Sequence, residues 1–438
     1  MSAEKVKVLK AKRLIDANGG EPIQNAVMVI EGELIKEVGS EGKVSVPAGA
    51  EVIDMGDCTL MPGLFDNHIH LGGFNDLQFR SPRARYERTP HVQQMSALLA
   101  AQVSMEMGFT TLRDGTTMTS YGHFNTKEMV AVRDAIKAGF AAGPRLVVGG
   151  RTVTHFSHLT LSYPPNLTLA PGEEATGPWE LRKLARTRMR ANVDYIKTCS
   201  SGGGGSDLDE PEEVNATMEE LTAICEEAHM FNKQVACHCH NAEAEKRSVR
   251  AGVDTMEHCV LTDDEAIAMM LDANIPLTTT LWHRTDRDIE KSIARGDTAF
   301  TVNKKRRIQS LCWESFRKMH KAGMKLVLGT DIQGSGTGED GSAVEMEIVV
   351  SLGMTPMEAI QTATKNAAEA IRLGKVTGTL DVGKFADVIA VNGDPLQDIK
   401  VFQNRDNIRM VIKEGKVYVD KRPGHEKYVV NDWNWKPL

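Results

Sequence analysis

Two histidines separated by one residue stand in the stretch PGLFDNHIHLGG, residues 62–73: His68 and His70. In an extended strand residues i and i+2 share a face, so both imidazoles can reach one point. An isolated H-x-H is weak evidence, because a structural or surface pair has the same spacing. Four later residues answer it. Lys197 closes the run DYI, His238 closes QVAC, His258 closes DTME and Asp331 closes LVLGT. Each polar residue ends a short apolar run. Imidazole and carboxylate donors in such a set suit zinc, and also manganese, cobalt or nickel.

Lys197 needs its own account. A lysine buried among histidines must lose its charge or find a partner. An ammonium does not ligate a cation. A neutral amine can take up carbon dioxide as a carbamate, an anionic two-oxygen group able to bridge two metals about 3.5–4 Å apart.

The elements that must position these residues follow from periodicity. Residues 5–60 read as short β runs punctuated by glycine and proline, such as NAVMVIEGELIKEVG. From 61 to 375 short apolar runs alternate with helical segments, near 87–107, 127–139, 178–192, 216–231, 241–251, 262–273, 303–322, 341–352 and 355–371. Eight βα units with polar residues at the strand ends predict an α/β chain, a (β/α)8 TIM barrel whose C-terminal mouth gathers the candidates. A doubly wound open sheet is the competing arrangement. Residues 376–438 return to β style, so both chain ends (1–60 and 376–438) are expected to build one small β-sandwich beside the barrel.

The combination PGLFDNHIH, YIKTCSSGG, VACHCH, EHC and LGTD resembles the amidohydrolase superfamily over nearly the whole chain. The similarity is closest to the branch of imidazolonepropionase and the metal-dependent Xaa-Pro, Xaa-Lys and Xaa-Arg dipeptidases. The resemblance implies two divalent ions, with zinc as the default. His68, His70 and Asp331 would hold one ion, His238 and His258 the other, and carboxylated Lys197 would bridge them together with a hydroxide. A mononuclear site with a less central Lys197 is the alternative. The implied reaction is hydrolysis of an amide-type C–N bond in a dipeptide or N-acyl amino acid. Aryl amides, carbamates, phenylureas and cyclic, imidazolone-like amides are alternatives. Asp331 would pass the proton from water to the leaving nitrogen, or serve as a ligand alone.

The remaining candidates lie near the mouth. His240 shares the face of His238. In the dipeptidase-like branch the loop after the third strand commonly reads TGGHG; here it reads TVTHFSHLTL, so His155 and His158 compete, and we assign His158 to the substrate carbonyl. Tyr121 can donate to a developing oxyanion. SSGGGGS at 200–206 reads as a close-approach segment, a moving lid or a surface loop. In TLWHRTDRD, Arg284 or Arg287 can receive a substrate carboxylate, whereas Trp282 can stack on an aryl ring. Cys199, Cys237, Cys239 and Cys259 read as small apolar residues.

Composition bounds the rest. A net charge of -7 with no basic stripe argues against a nucleic-acid partner. No apolar stretch is long enough for a membrane span, and the N-terminus lacks a secretory h-region. Seven cysteines without regular pairing indicate reduced thiols and a cytoplasmic location. The expected partner is a small-molecule substrate, and the resemblance implies a homo-oligomer.

Overall fold

The computed structural model describes residues 6–72, 89–115, 126–154, 158, 175–205, 207–333 and 341–430. Tyr121 and His155 lie outside the described residues, as do residues 73–88 and the last eight residues.

The chain opens with β1 (Lys7–Leu14), β2 (Ile23–Glu31), β3 (Leu34–Ser40), β4 (Glu51–Asp54) and β5 (Thr59–Pro62). A run of parallel strands follows: β6 (Leu64–His70), β7 (Phe109–Asp114), β8 (Arg145–Val148), β9 (Ile196–Cys199), β10 (Val235–Asn241), β11 (Thr255–Leu261), β12 (Leu277–Thr278) and β13 (Leu326–Val327). The two-residue strand β14 (Ile332–Gln333) pairs with β6. These strands form two sheets, β13-β12-β11-β10-β9 and β14-β6-β7-β8. Backbone hydrogen bonds join them on both sides. Asn67 N–H donates to the Leu328 carbonyl (2.9 Å), and Asp194 N–H donates to the Val148 carbonyl (2.8 Å). The strand interiors are buried almost throughout, as parallel strands covered by helices require.

The chain ends with β15 (Val388–Val391), β16 (Ile408–Lys413) and β17 (Lys416–Asp420). The expected sandwich is one continuous hydrogen-bonded sheet, ordered β17-β16-β15-β5-β1-β2-β3, with β4 on β1. Leu60 of β5 faces Ala390 of β15 across the antiparallel pair that joins the two chain ends. Strand alternation then sorts the side chains. Leu9, Met28, Leu60, Val388, Ala390 and Met410 build the sheet's own apolar core. Ile389, Val391 and Val411 turn the other way and join the large core of the parallel-strand region.

Helices cover the parallel strands: α1 (Pro90–Glu106), α2 (Thr126–Lys137), α3 (Gly177–Arg190), α4 (Met218–Met230), α5 (Ala242–Ala251), α6 (Asp264–Asp272), α7 (Asp286–Arg295), α8 (Ala299–Lys321), α9 (Val344–Ser351), α10 (Pro356–Thr362) and α11 (Lys365–Ala370). Many start on a side-chain cap; Thr217 and Glu220 form a reciprocal capping box at α4. The single helix expected over 355–371 is two. Thr364 leaves helical geometry between them, and its hydroxyl donates to the Ile360 carbonyl (2.6 Å), a local bond that competes with helix continuation. Helix α7 has no counterpart among the expected elements; Thr285 caps it by accepting from Asp288 N–H. Among the described residues no helix is long and apolar enough to cross a membrane.

Candidate metal centre

His68 and His70 end β6, and Asp331 follows β13 with a left-handed backbone (φ 60°). Asp66, two residues before His68, locks the two segments together. Its carboxylate accepts from His68 N–H (3.0 Å), from the Thr330 hydroxyl (2.7 Å) and from the Ser342 hydroxyl (2.7 Å). With this clamp the Asp331 carboxylate lies 2.7 Å from His70 Nε2 and 3.4 Å from His68 Nε2. Burial would raise the Asp331 pKa, but the His68 and His70 contacts outweigh it and hold the carboxyl well below the usual range.

His258 joins this group from β11. Ligand atoms of His68, His258 and Asp331 lie within 4.8 Å of one another. This gathers residues from both of the ligand sets that the resemblance implies. The His258 Nδ1 contacts the Thr280 hydroxyl at 2.6 Å, which leaves the other ring nitrogen to the site. His238 and His240 follow the i, i+2 rule on β10, with rings 4.6 Å apart, and each lies within 5 Å of the His258 ring. The Nε2 of His238 faces the Gly202 carbonyl at 3.3 Å. His240 keeps a buried Nδ1 with no hydrogen-bond partner. Burial, reinforced by the crowding of other basic side chains, pushes His238, His240 and His258 well below the ordinary histidine pKa. Neutral imidazoles are the ligand form.

Lys197 lies in β9, 3% exposed, and burial lowers its pKa to about 8. Its amine faces Glu257, a residue absent from the sequence-derived candidates. Glu257 is fully buried, lies 3.3 Å from His68 Nδ1 and accepts from Arg113 at 2.6 Å. A carboxylate on the outer nitrogen of a ligand histidine fixes its orientation. Strict alternation would turn Glu257 away from the side that His258 faces. His258 (φ 73°) and Cys259 (φ 48°) break the alternation, and both acid and histidine face inward.

His158 stacks on His238, with centroids 4.6 Å apart and planes at 12°. Its Nδ1 lies 2.6 Å from the Asp209 carboxylate, which also accepts from Gly203 N–H at 2.7 Å. Asp209 is a second residue that motif reading missed. Ser201 to Gly204 are buried, so this end of the SSGGGGS run is a packed wall of the site. His283 Nε2 lies 3.0 Å from the Asp331 carbonyl oxygen. Burial disfavours its charged form, but Asp288 outweighs burial and the His283 pKa is raised. Trp282 belongs to the apolar core, with Arg287 5.7 Å and Lys291 5.5 Å over its ring. All seven cysteines are buried free thiols, and burial raises Cys199 to about 12, far from thiolate form.

The donor set fits a divalent d-block ion. Lys197 Nζ and His68 Nδ1 crowd on the single Glu257 Oε2, and His240 Nδ1 is a buried polar atom without a hydrogen-bond partner, all grouped around neutral imidazoles and the Asp331 carboxylate. Such a cluster is costly unless a charge completes it.

Residues 59–418 match the family model described as Amidohydrolase family. Ochratoxinase of Aspergillus niger is 31% identical over 454 aligned residues, covering 96% of this chain and 88% of that protein. Imidazolonepropionase of Geobacillus kaustophilus is 35% identical over 109 residues, covering 24% and 25% of the two chains. The crystal structure of a Xaa-Pro dipeptidase with bound methionine in the active site superposes with a TM-score of 0.83. It is 30% identical and covers 94% of this chain and 100% of that one. The match across sheet and parallel strands together establishes that the chain belongs to the amidohydrolase family.

Proposed function

We propose that this protein is a metal-dependent hydrolase of an amide-type C–N bond, acting on a dipeptide or N-acyl amino acid. The observation that carries the reading is the buried convergence of His68, His258 and Asp331, with His70 held on Asp331 and Lys197 beside them. The similar Xaa-Pro dipeptidase, whose site holds a free amino acid, supports the substrate class. Trp282 offers no open ring for an aryl substrate, because it is packed in the core. We further infer that the eight parallel strands close into a (β/α)8 barrel, supported by the hydrogen bonds on both sides of the two sheets.

His68, His70 and Asp331 would hold one ion, and His238 and His258 a second. His258 lies within reach of Asp331 and His68, so the two ligand sets adjoin. Bound divalent metal supplies Lewis acidity and positive charge at the mouth of the strands. Lowering the Lys197 pKa from 10.5 to about 8 enlarges the share of neutral amine that carbon dioxide requires. Carboxylation turns this cation into an anion, and Glu257 then remains with Arg113 and the outer nitrogen of His68. Asp331, the most exposed of the set at 27%, would carry a proton between water and the leaving nitrogen. His158 stacks on His238, with its Nδ1 held by Asp209.

Elemental analysis of chelator-free protein, with and without added bicarbonate, tests the centre. Two ions per chain together with hydrolysis of N-acyl amino acids is the expected result. One ion per chain removes the bridging role of Lys197. No metal after reconstitution, with no amide turnover, overturns the reading.

A further inference from the structure

Arg284 is the feature of this site that the metal chemistry leaves unexplained. It lies in the turn Leu281–Arg284 after β12 and is 5% exposed. A guanidinium keeps its charge at any accessible pH, so burial demands a partner. Three comparably buried cations have a carboxylate: Arg113 faces Glu257 at 2.6 Å, Arg133 faces Asp194 at 2.9 Å and Lys305 faces Asp288 at 2.6 Å, while the buried Lys413 donates to the Gly143 carbonyl at 2.8 Å. Among the described residues no carboxylate lies within ion-pair distance of Arg284. Its Nε has no hydrogen-bond partner, and one Nη makes a long bond of 3.3 Å to the neighbouring His283 carbonyl.

The surroundings hold this charge at the metal face. Leu281 N–H and Trp282 N–H donate to Glu345 at 2.7 and 3.0 Å, and Gln309 donates to the Arg284 carbonyl at 2.7 Å, so the turn is pinned from two helices. The guanidinium packs against Gly204. A Cβ at that position would lie 2.9 Å from one Nη, closer than side chains approach. At Gly203 a Cβ would run into the His158 ring. Adjacent glycines of one wall therefore seat two groups, a histidine stacked on His238 and an arginine whose charge is felt at His240. Arg287, the other arginine of this segment, lies over Trp282 instead.

We infer that Arg284 is the specificity-determining residue that binds the free carboxylate of the substrate, and that the enzyme therefore selects anionic amides over neutral ones. The inference rests on the amide-hydrolase reading above. A planar fork matches a carboxylate with two parallel hydrogen bonds, and the partner missing from the chain is then supplied by the substrate. Neutral aryl amides, ureas and carbamates would bury the same guanidinium without compensation and are disfavoured.

The test compares N-acetyl-L-amino acids covering the standard side chains with their C-terminal carboxamides, on the metal-loaded enzyme. The expected result is a preference for the free acid of about 100-fold or more in kcat/KM. Arg284→Met should collapse that ratio mainly through KM, while Arg284→Lys restores part of it, and metal content per chain should match the wild type in both. Equal turnover of acid and carboxamide by the wild type overturns the inference while leaving amide hydrolysis intact. So does a ratio that survives in a metal-loaded Arg284→Met protein. If the wild type cleaves neither series, the functional reading fails and the inference falls with it. The wild-type comparison decides the question even if the variants do not fold.

Discussion

The Glu257 carboxylate lies 2.6 Å from the Arg113 guanidinium, and both side chains are at most 2% exposed. Arg113 in turn sits 4.7 Å over the Tyr195 ring, whose hydroxyl donates to the Asp114 carbonyl at 2.7 Å. Breaking one side of a buried pair strands the other charge. Glu257→Gln is expected to lower unfolding free energy by about 3–5 kcal/mol, and adding Arg113→Met should recover part of the loss. Urea unfolding of both single variants and the double variant measures this. Strictly additive losses would mean that the pair is not coupled.

His158 depends on Asp209 in a different way. The carboxylate at 2.6 Å from Nδ1 fixes the orientation of the ring. His158→Gln is expected to lower kcat about 100-fold or more if the ring relays a proton. Asp209→Asn should give a smaller loss in the same direction, with metal content preserved. Unchanged kcat in Asp209→Asn, measured on protein with its full metal content, would remove the dyad from the mechanism.

Away from the metal face, Glu245 reports on pH. It is fully buried in the first turn of α5, accepts from the Thr262 hydroxyl at 2.6 Å and has an unpartnered Oε1. Burial raises its pKa from 4.5 to about 7. Between these values the folded protein holds a proton that the unfolded chain has released. Stability from this group is therefore full below about pH 4.5 and is lost as pH rises through about 7. Glu245→Gln keeps the Thr262 bond and removes the titration. From pH 5 to pH 8 the wild type should lose roughly 2.5 kcal/mol relative to this variant, at about 1.4 kcal/mol per pKa unit. Parallel urea-midpoint profiles of the two proteins would refute the assignment.

Which of these residues the sequence reveals depends on how their geometry arises. His68 with His70 and His238 with His240 are legible because a strand enforces a two-residue period. Lys197 and Asp331 are legible because each ends an apolar run. Glu257 is hidden by the same rule, since it is adjacent to His258 and only the positive φ values at His258 and Cys259 bring both inward. Asp209 meets His158 and Gly203 through tertiary packing that no local pattern encodes, and TLWHRTDRD offers Arg284 and Arg287 alike, separated only by the packing of Arg284 on Gly204 and of Arg287 over Trp282. The glycine run itself permits either a lid or a tight seat, and only burial of Ser201–Gly204 distinguishes them. Likewise the eight-stranded sheet is visible as β runs at both ends, whereas the pairing of Leu60 with Ala390 spans most of the chain.

Metal removal joins the centre to stability. Without an ion, the buried cluster of His68, His258, Asp331 and Lys197 keeps donors that face one another, among them His68 Nε2 and His70 Nε2 at 3.3 Å. Binding to the folded state alone stabilises by mass action, about 4 kcal/mol when free metal is a thousand times its dissociation constant. Treatment with chelator is therefore expected to lower the thermal midpoint, and added Zn2+ should restore it in a concentration-dependent way. Asp331→Ala removes the carboxylate that contacts both His68 and His70, so its midpoint should respond less to the same titration. The comparison separates specific binding from general effects of zinc on the protein. A midpoint that ignores chelator in the wild type, or one that responds equally in Asp331→Ala, would place the stabilising ion elsewhere.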